Sequence, residues 1–428
     1  MGICAIRYSR QSLGAGLLAL AAATGCAQAQ PALPEPVGGP DLTLQTRTVE
    51  ALWEAVDESY LYEDLSGPAW EQVRDDYLER LDGDLTFDEF DMLLEEMVGE
   101  LSQDTPELLT REARISRMMD NPTSAPGVIG TYVMYSGSSA TRRVVLTLII
   151  PGSPAESAGL QAHDSILAVD GTPIGELDGS AVRHIRGPVG EDVSLLVESP
   201  GEPPREVAVT RGPEITTEVG TRVILDEPAD GIAHITMPPA TSIDNVEELA
   251  DRLLEFDAQS PDGSQGFILD LRLSNPAGWD LDTLERMVGI FGSGDMGVFY
   301  TREGETPIEI EGRDVGGSQR QPLAIIVGEE TAGLPEVFSA SLQATGRAAV
   351  VGPQTGGGVE FLVAEVLPNG TRVLIPAIGY RAPNGEEVGR SGIVPDVRVT
   401  ARWYEFTGEN DPALAAALEV VTDAIARN

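Results

Sequence analysis

A hydroxyl becomes a nucleophile only when a base can take its proton, and this chain is short of bases. Its 428 residues include three histidines and no lysine, so all 28 basic residues are arginine. A guanidinium stays protonated and cannot serve as a base. The only thiols, Cys4 and Cys26, lie close to the N-terminus. Thr331, Ser339 and Ser341 are hydroxyls within one short stretch, and each would need a base within hydrogen-bond reach. His163 and His184 read as turn and helix-surface residues, and His234 alternates with Ala233 and Ile235 on a core strand. A carboxylate serving Thr331 is the weak pairing that remains. No H-E-x-x-H pattern and no phosphate loop is present, so neither a metal nor any other cofactor is expected.

The elements that must position such groups begin behind an apparent export leader. Arg7 and Arg10 precede the short apolar run Leu13 to Ala23, and Ala27-Gln28-Ala29 is a small-residue cleavage site. Residues 1–29 therefore read as a signal peptide and the protein as periplasmic. A cut just before Cys26 would instead leave a lipid-anchored chain. Either cut leaves the mature protein without a structural disulfide. The net charge of -41 repels phosphate backbones and anionic headgroups, so nucleic acid is excluded as a partner and membrane contact requires the lipid.

Beyond the Pro/Gly linker 31–40, residues 41–115 carry a helical period: Val49, Leu52, Trp53 and Val56, then Val73, Tyr77 and Leu81. Thr86 and Glu89 form a capping box ahead of Phe90, Leu93, Leu94 and Met97. Asp82-Gly83-Asp84 is a turn and not a calcium loop, because Phe87 and Leu93 occupy the positions that need Gly and Glu. After a second linker at 121–126, short strands alternate with Gly/Pro turns to about residue 213. From 214 to 405 strands and helices alternate, which predicts an α/β layer with largely parallel strands. A C-terminal helix closes the chain within 406–428.

Three segments of the middle region carry a resemblance. Pro151-Gly-Ser-Pro-Ala155, Asp164-Ser-Ile-Leu-Ala-Val-Asp-Gly171 and Ile185-Arg-Gly187 resemble a PDZ domain, here 122–213. Downstream, Asp270-Leu-Arg272 with Asn275-Pro-Ala-Gly278, then Ser391-Gly-Ile-Val-Pro-Asp-Val397 and Asp411-Pro412, resemble the core of the carboxyl-terminal processing (tail-specific) peptidases, family S41. The order is collinear over about 330 residues, which makes individually weak motifs specific. The resemblance implies an α+β and α/β multidomain fold: a helical region, a PDZ β-domain and a ClpP/crotonase-like core. It also implies capture of peptide or protein C-termini by strand addition. Gly127-Val128-Ile129-Gly130 is similar to the carboxylate-binding loop, and Arg186 falls where relatives place an Arg near the peptide.

Active members of the family use a Ser three residues before a Glu at a helix start, with a Lys about 25 residues on. Here those registers fall on Gly333, three before Glu336, and on Gly358 in Val351-Gly-Pro-Gln-Thr-Gly-Gly-Gly358. The supporting Gln position is Leu362. The histidine of the tricorn-type arrangement has no counterpart in Leu101 to Pro106. Backbone donors for an oxyanion hole, from Leu334 and Ala277 or Gly278, do not depend on side chains. The expectation is therefore a C-terminus-binding S41 homologue without catalysis, acting alone, on itself or beside a true protease. An active serine-type endopeptidase with a non-standard nucleophile and a structural envelope protein are the alternatives.

Overall fold

The computed structural model describes residues 4–5, 39–62, 70–101, 106–109, 128–136, 141–177, 181–213, 215, 220–274, 279–389 and 391–427. Most of the expected leader, Cys26 and the 121–126 linker lie outside them. The chain divides into two compact units. The smaller comprises Cys4–Arg111 with Leu362–Pro376, and the larger Glu112–Phe361 with Ala377–Asn428.

In the smaller unit, α1 (Leu42–Ser59), α2 (Trp70–Glu79) and α3 (Phe87–Gly99) form as their spacing requires. Asp41 caps α1 by accepting from Leu44 N–H at 2.8 Å. The Thr86–Glu89 box caps α3, with Glu89 accepting from Thr86 N–H at 2.9 Å. Trp53 and Trp70 each donate an indole N–H to the other's carbonyl at 3.1 Å, which locks α1 to α2. Val49, Leu52 and Val56 pack with Phe90, Leu94 and Met97. Two short strands, β1 (Cys4–Ala5) and β2 (Glu107–Leu109), pair with Leu362–Val363 and with Arg372–Leu374. The helical pattern gave no sign of this return of the chain. Leu367, Val373 and Ile375 close the helical core, so residues 362–376 leave the span expected to be continuous core.

In the larger unit the PDZ fold is an antiparallel sheet. Its strands are β3 (Thr131–Ser136), β4 (Arg143–Ile149), β5 (Ser165–Val169), β6 (Thr172–Pro173), β7 (Asp192–Glu198) and β8 (Arg205–Thr210). Their order is β3-β4-β5-β7-β8, with β6 beside β5, so β3 is an edge strand. Two short helices, α4 (Pro154–Ser157) and α5 (Ala181–Ile185), complete it.

The core sheet holds β9 (Ile224–Ala229), β10 (Ile232–Thr236), β11 (Gly266–Asp270), β14 (Leu323–Ile326), β15 (Ala349–Gly352) and β19 (Val397–Arg398). Every pairing from β10 to β19 is parallel, and β9 alone is antiparallel. Between β11 and β14 the chain forms the hairpin β12 (Gly294–Thr301) and β13 (Gly304–Ile310). The remaining strands are β16 (Phe361–Val366), β17 (Arg372–Arg381) and β18 (Glu387–Val388). Helices α6 (Ile243–Gln259), α7 (Leu281–Phe291) and α8 (Leu334–Ala344) bury Leu249, Phe291 and Phe338 in the main core. Helix α9 (Pro412–Arg427) covers the other sheet face with Ala413, Ala417 and Val421. It begins six residues later than the boundary at 406, because Asp411 caps it by accepting from Ala413 and Leu414 N–H.

The D-L-R and D-P motifs meet at one buried ion cluster. Arg272 donates to Asp270 at 2.5 Å and to Asp411 at 2.6 Å, and it is 7% exposed. Burial alone would push the Asp270 carboxyl up, but the Arg272 guanidinium outweighs it and holds the group below the usual carboxylate range. Removing one member of such a cluster strands the others. Arg272→Leu is expected to cost about 3–5 kcal/mol in urea unfolding. Asp411→Asn, which keeps a capping oxygen for α9, is expected to cost clearly less.

Candidate functional site

The two dyad registers lie on loops that one carboxylate holds together. Gly333 caps α8 with φ 68° and ψ −134°, a backbone conformation that suits glycine and resembles the sharp strand-to-helix turns of hydrolases. Glu336 is fully buried in the first turn. Its carboxylate accepts from Gly333 N–H at 3.0 Å and Gly357 N–H at 3.0 Å. The Thr355 hydroxyl donates to the same carboxylate and itself accepts from Ile393 N–H at 2.7 Å. Glu336 thus bridges the Gly333 turn, the Gly356–Gly358 loop and the Gly-Ile-Val-Pro segment. Burial pushes its carboxyl up to about 7, against three hydrogen bonds that favour the charged form.

Gly358 has φ 88°, and a Cβ built there meets nothing within 4 Å. A longer side chain would have room but would pay for left-handed backbone, about 1 kcal/mol. Neither glycine presents a group that can attack or accept a proton. Leu334, the first residue of α8, donates its N–H to no described residue, as expected of a helix start. The partner oxyanion positions, Ala277 and Gly278, lie outside the described residues.

Thr331 is buried, and its hydroxyl is committed. The oxygen accepts from Gly328 N–H at 2.9 Å and donates to the Leu271 carbonyl at 3.4 Å. Ser339 and Ser341 donate to backbone carbonyls within their own helix. Among the described residues no imidazole bonds to any of the three. His234 Nε2 lies 3.5 Å from Asp270 Oδ2, at the ion cluster. His163 stacks on Trp403 with ring centroids 4.6 Å apart, and its Nδ1 lies 2.7 Å from the Trp403 carbonyl. Trp403 also lies under the Arg272 guanidinium, so the PDZ turn reaches the ion cluster through one indole. That contact was invisible in the sequence, because His163 and Trp403 are 240 residues apart.

The PDZ loop is positioned by its motif. Ser153 caps α4, accepting from Glu156 N–H at 3.1 Å, with Pro154 at the first helical position. The turn then directs Ala155 N–H to the Ile129 carbonyl at 2.8 Å. Val128 exchanges two backbone bonds with Gly212, so its N–H is spent. Ile129 and Gly130 keep N–H groups that bond to no described residue, and both are buried. Gly127 lies outside the described residues. Arg186 follows α5, half-buried, with no ion pair among the described residues. Its neighbour Arg211, which the sequence reading passed over, fixes the end of α5 by donating to the Ile185 carbonyl at 2.8 Å and the His184 carbonyl at 3.2 Å.

Residues 231–399 match peptidase family S41, 145–199 a PDZ domain and 50–99 the tricorn protease C1 domain. The chain carries a peptidase family S41 domain. It is 28% identical over 384 residues to a carboxyl-terminal-processing protease of Synechocystis sp., spanning 87% of this chain and 86% of that one. A second relative of that name, from Picosynechococcus sp., is 29% identical over 403 residues and covered to 89% on both sides. The solved photosystem II D1 C-terminal processing protease superposes with a TM-score of 0.58 at 21% identity, over 83% of this chain and 93% of that one. The last likeness concerns the fold. Among the described residues, Glu336 holds the Gly333 turn and the Gly357 loop together.

Glu336 makes a pH-dependent contribution. Its folded pKa lies above the ordinary 4.5, so the stability it lends is full below about 4.5, falls as pH rises, and is lost by about pH 7. Glu336→Gln removes this titration. Between pH 4.5 and 8, the stability of wild type relative to E336Q is expected to fall by on the order of 3 kcal/mol in denaturant melts.

Proposed function

We propose that this S41 protein is exported to the periplasm and binds peptide or protein C-termini through its PDZ domain without cleaving them. One observation carries the reading: glycine occupies both dyad registers, 333 and 358, in a chain with no lysine to act from elsewhere. The committed Thr331 hydroxyl supports it, since a group that already bonds Gly328 and Leu271 is not free to attack. The Ile129 and Gly130 amides supply carboxylate donors, with the Arg186 guanidinium on the neighbouring helix end. The Leu334 amide, with those of Ala277 or Gly278, would still cradle a peptide carbonyl. Captured tails would be passed to an active protease or held by a self-associated form. Arg7, Arg10 and the Leu13–Ala23 run support export, and a cut before Cys26 would add a lipid anchor.

The purified protein should be incubated with an unfolded substrate that ends in an apolar tail. Saturable binding that disappears when the tail is amidated, with no cleavage, is the expected result. Cleavage by the wild type that is abolished by Thr331→Ala would replace this reading with an active peptidase. Binding no tail at all would favour a structural role. The double variant Gly333→Ser, Gly358→Lys is expected to gain slow tail cleavage, and each single variant none.

A further inference from the structure

The edge strand β3 does not end in open solvent. Met134, Tyr135 and Ser136 form one wall of a cleft whose opposite walls are core residues, among them Glu329, Glu330, Pro353 and Trp403. A tail added to a PDZ domain lies antiparallel to the strand that follows the carboxylate loop. Its carboxylate sits at that loop, and its upstream residues run towards the strand's far end. Strand β3 has six residues. A bound tail therefore leaves β3 about five to seven residues upstream of its carboxylate, at one strand residue per position. It leaves into this cleft.

The lining of the cleft is selective. Glu329 and Glu330 are adjacent acids that still reach solvent, and partial desolvation of the Glu330 carboxyl, followed by the Glu329 charge, raises its pKa. Two like charges side by side favour an incoming cation. Two arginines also line the cleft. Arg272 is neutralised by Asp270 and Asp411, while Arg402 donates to the Tyr404 hydroxyl at 3.1 Å and offsets part of the Glu329 charge, leaving Glu330 as the unshared acid. Met134, Pro353 and Phe406 offer apolar wall for the methylene stem of a long basic side chain. The Trp403 indole N–H is shielded from solvent and has no acceptor among the described residues. A passing peptide carbonyl would satisfy it.

We propose that this cleft reads a lysine or arginine about five to seven residues upstream of the free carboxylate of a PDZ-bound tail, through Glu329 and Glu330. The inference rests on the PDZ reading above and adds the chemistry of the client. The full chain should be titrated by fluorescence anisotropy with decapeptides that share one apolar C-terminus. A single Arg is moved from the third to the ninth position upstream, with Gln and Glu versions and an amidated control. Binding is expected to peak with Arg in the window, about tenfold over Glu at the same place, which corresponds to about 1.4 kcal/mol. The double variant Glu329→Gln, Glu330→Gln should erase that peak and leave the Gln peptide's affinity unchanged. Equal binding of all free-acid peptides would overturn the cleft and leave the PDZ reading standing. An Arg preference that is independent of position, or that survives in the double variant, would reflect overall protein charge and also overturn it. Equal binding of the amidated peptide would overturn the PDZ reading itself.

Discussion

The buried cluster of Asp270, Arg272 and Asp411 is the contact on which the larger unit depends. It joins the end of a central strand to the capping residue of the last helix, across 139 residues of sequence. Three ionised groups removed from water are tolerated only because each finds a partner at hydrogen-bond distance. The guanidinium also lies over Trp403, and Trp403 stacks on His163 of the PDZ turn. One arginine therefore registers the sheet, the C-terminal helix and the PDZ domain. Lysine would replace it poorly, because an ammonium lacks the planar fork that bonds both Asp270 oxygens and lies flat over an aromatic face.

Glu336 plays the matching part at the candidate site. It spends its acceptor capacity on the amides of Gly333 and Gly357 and on the Thr355 hydroxyl, so one buried acid holds the two loops together. A site of this kind separates into parts that need side chains and parts that need only backbone. Nucleophile and base belong to the first kind, and a glycine can supply neither. Amides at a helix start belong to the second and persist as long as the turn keeps its shape.

Much of the fold was legible because its signals are local. The Thr86–Glu89 box and the helical periods at Val49–Val56 and Val73–Tyr77 each depend on neighbours within a few residues, and they appear where the pattern placed them. The β12–β13 hairpin and strands β16 and β17 were not assigned, since their exposed and buried positions answer to partners far along the chain. The return of residues 362–376 to the helical unit was hidden for the same reason. Leu367, Val373 and Ile375 are apolar in any reading, and only packing shows against what.

The sequence by itself determined the membership signals, the acidic surface and the absence of any amine base, because these are properties of composition and of short motifs. Counting along the chain from the family pattern gave Gly333 and Gly358 as the expected dyad registers. Tertiary structure alone decided that the Thr331 hydroxyl is spent on backbone, that Val128 gives its N–H to Gly212, and that His163 rests on Trp403. Each of those outcomes is a choice among partners, and a polar group's partner is fixed by which distant atoms the folded backbone brings within about 3 Å.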